Sequence, residues 1–280
     1  MKRIAGLREI AGQFDLFLVD QFGVVHDGVT AYPGAIEGLA ELASPGRKVV
    51  VLTNSGKGKA DNQARLEALG FSRSSFDAVV SSGEVALQLV MDGSLGPGFA
   101  RGSKVFVLGK AGDSYSFSSD DFTLVDRPEQ AAFIVIAGSD GPRTSLDAYR
   151  AMLRPAAEAG VPAICANPDI LMLRDGMTLD TAPGGIAKAY EALGGRVEYV
   201  GKPYRAIFDH ALALFDKETA LRVVMIGDSP EHDVAGAKSM GLSTLLVRTG
   251  VQARLDESEL LRLCADHGGA PDFLLPNFKW

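Results

Sequence analysis

Short, wholly apolar runs recur along the chain, and most are followed by a stretch with helical spacing of apolar residues. Leu16-Phe17-Leu18-Val19 precedes a pattern that puts Ile36, Leu39 and Leu42 on one helix face. Val49-Val50-Val51-Leu52 precedes a helix carrying Leu66 and Leu69 that stops at Gly70, and Asp77-Ala78-Val79-Val80 reads as a third strand. The middle of the chain continues with Val105-Phe106-Val107-Leu108, Phe133-Ile134-Val135-Ile136, a helix near 146–159 and Ala163-Ile164-Cys165-Ala166. Strands resume at Val197-Glu198-Tyr199-Val200, Val223-Val224-Met225-Ile226 and Thr244-Leu245-Leu246-Val247. Runs that are apolar throughout suit parallel strands covered on both faces, so the pattern predicts an α/β fold with a doubly wound parallel sheet.

Two hundred and eighty residues are natural for two domains. The polar clusters described next lie toward the two ends of the chain and not in its middle. The division this suggests is discontinuous: a core from 1–83 and 185–280, and an α/β domain inserted at 84–184. Gly93-Ser94-Leu95-Gly96-Pro97-Gly98 reads as a hinge or surface loop.

Polar residues gather where these strands end. Asp20 follows Val19, Thr53-Asn54-Ser55 follows Leu52, Lys202 follows Val200-Gly201, and Gly227-Asp228-Ser229 follows Ile226, with Asp233 five residues beyond Asp228. Ligands of open α/β sheets bind at the carboxyl ends of the strands, so four such clusters could converge on one site. Asp20, Asp228 and Asp233 are hard oxygen donors of the kind that suits Mg²⁺. Thr53, Asn54 and the amides of Ser55 and Gly56 could hold phosphate oxygens, and Lys202 can offset the charge of carboxylate and phosphate together. A carboxylate nucleophile, a divalent metal, a hydroxyl and a lysine amount to phosphoryl transfer by way of an aspartyl phosphate.

These segments resemble the haloacid dehalogenase (HAD) superfamily. Val19-Asp20-Gln21-Phe22-Gly23-Val24 is similar to its first motif and Leu52-Thr53-Asn54-Ser55 to its second; Gly201-Lys202-Pro203 is similar to the third, and Ile226-Gly227-Asp228-Ser229 through Asp233 to the fourth. Asn62 with Ala64-Arg65 leading to Leu69-Gly70-Phe71, and Ala166-Asn167-Pro168-Asp169, resemble subfamily IIA, whose large α/β cap is inserted between the second and third motifs. The resemblance implies that Asp20 is the nucleophile and a metal ligand, with the Phe22 carbonyl and Asp228 as further ligands and Asp233 acting close by. It implies that Thr53 and Asn54 bind phosphate and that Lys202 stabilises the charges. Ser55 joins the substrate-binding set, and in the inserted domain Asn167 and Asp169 could face the substrate. Hydrolytic members carry a second aspartate two residues after the nucleophile as general acid and base. Here that position is Phe22. His26 and His232 lie near enough in sequence to stand in for it.

The charge sum, 28 basic against 35 acidic residues for a net −7, argues against nucleic acid as a partner. No apolar run approaches membrane-spanning length, and Met1 to Gly6 lack the apolar core of a secretory signal. Two cysteines, Cys165 and Cys264, each among apolar neighbours, suit buried thiols in a reducing, cytoplasmic setting. There is no Gly-x-Gly-x-x-Gly after the first strand, no P-loop spacing in Ser55-Gly56-Lys57-Gly58-Lys59, no zinc-site spacing and no Gly-x-Ser-x-Gly. The expectation is a cytoplasmic, Mg²⁺-dependent phosphohydrolase of a small phosphorylated metabolite, a sugar phosphate among the candidates, in a chain that could form a homo-oligomer. Its rival is a weak or inactive protein on the same fold that binds a phosphometabolite or a protein partner, with Phe22 as its support.

Overall fold

Fourteen strands are assigned in the computed structural model, which describes residues 1–117, 120–141, 143–174, 178–215 and 221–280. In chain order they are β1 (Lys2–Arg3), β2 (Leu16–Val19), β3 (Lys48–Thr53), β4 (Ala78–Ser81), β5 (Lys104–Leu108), β6 (Thr123–Leu124) and β7 (Phe133–Ile136). There follow β8 (Ala163–Cys165), β9 (Leu171–Arg174), β10 (Thr178–Thr181), β11 (Val197–Tyr199), β12 (Val223–Gly227), β13 (Ser243–Val247) and β14 (Phe273–Leu275). The helices are α1 (Ala35–Leu42), α2 (Lys59–Ala68), α3 (Ser82–Met91), α4 (Leu146–Glu158), α5 (Pro183–Ala192), α6 (Arg205–Leu212), α7 (Ala235–Ser239) and α8 (Glu257–Asp266). The class is α/β, as the apolar runs predict.

The chain divides into two units. The first contains Met1–Thr53, Ala60–Val80 and Lys202–Trp280. Its sheet has the order β1-β14-β13-β12-β2-β3-β4. The pairings from β1 through β14, β13, β12 and β2 to β3 are all parallel. Every residue of β2 is buried, as is every residue of β3 after Lys48. Parallel strands covered on both faces have no polar side to show water, which is why these segments read as unbroken apolar runs. Leu39 and Leu42 of α1 join Val49, Val51, Val19 and Phe17 in the same core. A smaller cluster forms where Leu260 and Cys264 of α8 meet Val234 and Leu246. That helix opens on a capping box between Asp256 and Glu259.

The second unit contains Asn54–Lys59 and Ser81–Gly201. Its five-stranded sheet has the order β11-β8-β7-β5-β6, with parallel pairing throughout, and β9 and β10 form a separate antiparallel pair. Tyr149 and Leu153 of α4 and Ile186, Ala187 and Tyr190 of α5 cover Ile134, Ile136 and Ala163.

Two segments lie elsewhere than the sequence places them. The reading that assigns 185–280 to the outer core takes α5 and β11 with it. In the structure β11 pairs with β8 in the register Val197↔Ala163, and α5 buries its apolar face in the second unit's core. Three half-buried residues, Val197-Glu198-Tyr199, carry no mark of which parallel sheet they will join. The segment Asn54–Lys59 also groups with the second unit, although Thr53 before it ends a strand of the first. Among the described residues no helix is long and apolar enough to cross a membrane.

Candidate active site

The strands β2 and β12 are neighbours, but the chain leaves them in opposite directions, β2 toward β3 and β12 toward β13. Such a reversal opens a crevice at the strands' carboxyl ends. Asp20 stands at the end of β2 and Asp228 directly after β12, with the Asp20 N–H donating to the Ile226 carbonyl at 2.8 Å. Thr53 ends β3, the next strand along, and is 6% exposed.

Asp233 reaches the same place from a single π-helical turn, Pro230–Val234, whose start is capped by Ser229 Oγ accepting the His232 N–H at 3.1 Å. Its Oδ2 also accepts the Ser229 N–H at 3.0 Å. Gly227 makes room for it, since a Cβ there would lie 2.0 Å from Asp233 Cγ.

Lys202 joins the carboxylates. Its Nζ donates to Asp20 Oδ1 at 2.6 Å and to Asp233 Oδ1 at 2.7 Å, in surroundings that leave the lysine 2% exposed. Burial alone would depress this ammonium, but the two carboxylates outweigh it and hold its pKa above the ordinary lysine range. Burial pushes Asp20 up to about 7, with Lys202 pulling it down and Asp233 pushing it further up.

The three carboxylates Asp20, Asp228 and Asp233 offer oxygens that all lie within 4.8 Å of one another. An all-oxygen donor set of this kind, buried and gathered at one point, fits a divalent cation such as Mg²⁺. Asp228 is clasped from two sides. A Cβ on Gly23 would lie 2.4 Å from its Oδ2, and one on Gly250 would lie 1.8 Å from it. The Thr249 hydroxyl donates to the Gly23 carbonyl and ties these two turns together. Neither Thr249 nor Gly250 is singled out by the sequence reading. The signal was nevertheless present: Arg248-Thr249-Gly250 follows β13 just as the other polar clusters follow their strands.

Phe22 is half-buried, its ring edge-on to His26 at 5.8 Å between centroids, with Gly28 packed beneath it. His26 is 1% exposed. Its Nδ1 accepts the Gly28 N–H at 2.9 Å, so the neutral ring carries its proton on Nε2, which is buried without a hydrogen-bond partner among the described residues. Burial, with the Arg65 charge adding to it, lowers the His26 pKa to about 4. His232 is half-buried on the π-helical turn beside Asp233.

The remaining sequence-derived candidates belong to the second unit. The Asn54 carboxamide donates to Asp169 Oδ1 at 2.8 Å. Ser55 accepts the Gly83 N–H on its carbonyl at 3.0 Å. The Asn167 side chain accepts the Asp169 N–H at 3.1 Å, closing a local turn.

Known proteins are similar to this chain along most of its length. The family described as "Haloacid dehalogenase-like hydrolase" matches residues 17–123, and the related "HAD-hyrolase-like" family matches residues 199–279. Chronophin from Rattus norvegicus is 30% identical over 97% of this chain and 88% of its own length. The crystal structure of a haloacid dehalogenase-like hydrolase from Brucella suis 1330 superposes with a TM-score of 0.81 at 29% identity, covering 98% of this chain and 99% of that one. A glycerol phosphate phosphatase from Mycobacterium tuberculosis, solved in complex with magnesium, gives a TM-score of 0.66 at 27% identity over 86% of this chain and 70% of that one.

Proposed function

The chain belongs to the haloacid dehalogenase-like hydrolases, and from that premise we propose that it is a Mg²⁺-dependent phosphatase of a small phosphorylated metabolite, with Asp20 as its nucleophile. The observation that carries the proposal is Lys202 Nζ bridging Asp20 and Asp233, with Asp228 in the same cluster at the sheet's switch point. Asp20 attacks phosphorus, the bond to the leaving oxygen breaks, and that oxygen takes the bonding electrons. Water then hydrolyses the aspartyl phosphate and restores the carboxylate. Lys202 holds Asp20 in place and offsets the charge that gathers on the phosphoryl oxygens. Thr53, with Asn54 and Ser55 following it in the chain, supplies hydroxyl and N–H donors to those oxygens. Asp20, Asp228, Asp233 and the Phe22 carbonyl would hold Mg²⁺, whose charge would balance the carboxylates and the phosphoryl group.

The inserted domain read at 84–184, whose residues all fall within the second unit, is proposed as a cap that limits access of water and substrate. The magnesium complex of the glycerol phosphate phosphatase supports both the metal and a small phosphate ester of the glycerol phosphate kind as substrate. One observation favours a second reading, a binding protein with little turnover: Phe22 puts a phenyl ring where an acid would serve the leaving group. The retained Asp20, Lys202, Asp228 and Asp233 weigh against it, since binding alone requires no nucleophilic carboxylate.

The deciding experiment is a screen of phosphorylated metabolites with and without Mg²⁺, with Asp20→Asn as control. Metal-dependent release of phosphate that disappears in Asp20→Asn is the expected result. No release from any ester, including the most activated, would favour the binding protein.

A further inference from the structure

Asn54 is 5% exposed, and its carboxamide is gripped at both ends. Nδ2 donates to Asp169 Oδ1 at 2.8 Å, and Oδ1 faces the hydroxyl of the fully buried Ser82 at 3.4 Å. A carboxylate only accepts, so Asp169 dictates which end of the carboxamide is nitrogen and leaves the oxygen for Ser82.

Asp169 is itself fixed. Asn167 Oδ1 accepts its N–H at 3.1 Å, and its carbonyl accepts the Gly184 N–H at 2.8 Å. The turn after Asn54 is fastened in the same unit. Ser55 O accepts the Gly83 N–H at 3.0 Å, Lys57 O accepts Ser81 Oγ at 2.7 Å, and Lys57 Nζ pairs with Asp113 at 3.0 Å. Gly56 lies so close to Ala137 that a Cβ on it would be 2.1 Å from the Ala137 carbonyl oxygen.

The third motif meets this assembly through its glycine. Gly201 has φ +127°, and a Cβ there would lie 2.5 Å from Ser82 Oγ, 2.6 Å from Pro168 Cδ and 2.9 Å from Asn54 Oδ1. The next residue is Lys202.

We propose that Asp169 and Ser82 are positioning residues: they lock the Asn54 carboxamide, and with it the turn after Thr53 and the glycine before Lys202, in the arrangement that binds a phosphoryl group. This rests on the reading of Thr53 to Ser55 as the phosphate-holding segment. Asp169 then acts through Asn54 and does not touch the substrate. Its removal should cost the same for every leaving group, because what is lost is the common phosphoryl contact.

The test uses the full chain with Mg²⁺, with p-nitrophenyl phosphate and phenyl phosphate for turnover with two leaving groups, and orthophosphate for binding by calorimetry. Asp169→Ala should weaken orthophosphate binding about tenfold, the scale of one buried polar group losing its partner. Asp169→Asn keeps an acceptor oxygen toward Asn54 and should restore most of that loss. Asn54→Ala with Asp169→Ala should be no worse than Asn54→Ala alone, because the two residues act as one unit. Ser82→Ala should show a smaller loss in the same sense, and it serves as the second variant if Asp169→Ala fails to fold. Thermal unfolding of each variant separates misfolding from mispositioning.

Unchanged orthophosphate affinity in folded Asp169→Ala would overturn the proposal. So would an Asp169→Asn variant as impaired as Asp169→Ala, or a loss that varies with the leaving group, since either indicates direct contact with substrate. If the unaltered protein binds orthophosphate but turns nothing over, the catalytic reading fails while the orthophosphate comparison still decides this one. If it binds none, both fall.

Discussion

Gly250 and Asp228 are packed so closely that one methyl group added to the glycine would lie 1.8 Å from the carboxylate oxygen Oδ2. Gly250 also has φ +64°, a left-handed conformation in which a side chain costs roughly 1 kcal/mol or more. Gly250→Ala must therefore move Asp228 or its own turn. The expected outcome is at least about a tenfold loss of Mg²⁺ affinity, or ~1.4 kcal/mol, with stability reduced by a comparable amount. Metal titration followed by intrinsic fluorescence, beside urea unfolding of the metal-free protein, checks it.

Lys202→Ala leaves Asp20 and Asp233 buried with their ammonium gone. Breaking a buried ion pair by removing one partner costs about 3–5 kcal/mol. Unfolding in urea should show a loss of that order. Where the variant still folds, kcat should fall more than KM rises, because the lost charge acts mainly in the transition state. Equal turnover in variant and parent would mean that Lys202 holds the fold together and does nothing for the chemistry.

Phe22 sets the third expectation. With no acid at this position the leaving oxygen departs unprotonated, so rate should depend steeply on leaving-group basicity. Aryl and acyl phosphates should react while alkyl phosphates lag, and the phosphoenzyme should accumulate as a burst because no base activates the attacking water. Phe22→Asp should flatten that dependence. The measurement is kcat/KM for substituted phenyl and alkyl phosphates with both proteins. Fast hydrolysis of alkyl phosphates by the unaltered chain would send the search for the acid to His232 or Tyr32. The Tyr32 hydroxyl is raised above its usual pKa by burial and by the neighbouring charge of Asp228.

His26 gives a prediction about acid. Burial lowers it to about 4 from the ordinary 6.5, so between those two values the unfolded chain binds a proton that the folded chain refuses. Stability therefore falls as pH drops through that window, by ~2 kcal/mol from this residue between pH 7 and 5. His26→Asn keeps an oxygen to accept the Gly28 N–H and removes the titration. Its urea midpoint should change less between pH 7 and 5 than that of the parent. Parallel curves for the two proteins would refute the assignment.

The sheet was legible because parallel strands buried on both faces leave unbroken apolar runs, and Asp20 and Asp228 follow two of them directly; that these two strands are neighbours at a switch point was not. Lys202 was legible in the same way, as a polar residue just after a strand, although that strand, β11, belongs to the other sheet. The allegiance of Asn54–Lys59 was not legible at all. It is decided by Asp169, Ser81, Gly83 and Asp113, contacts made across as many as 115 positions, and no periodicity reports such pairings. The strand β14, which lies between β1 and β13, is only three residues long, too short to show a pattern. Nothing in the local sequence marks Gly250 as the partner of Asp228; only the placement of its turn after a strand does.

The pairing of β2 with β12 sets the order in which the molecule can be made. Leu16 meets Val223, so during synthesis the first of these strands waits for some two hundred residues before its neighbour exists. Meanwhile β3 protects one edge of β2, and the other stays bare and wholly apolar, the kind of edge on which chains aggregate. In the sequence the second unit falls entirely between the two strands, so all its own strands have been made by then. On a ribosome it has the chance to fold first, and the cluster of charges completed by Asp228 and Asp233 forms late, only once β12 has docked. A newly made chain thus spends its most vulnerable interval with Asp20 beside an open sheet edge, and slower translation between the two strands would lengthen that interval.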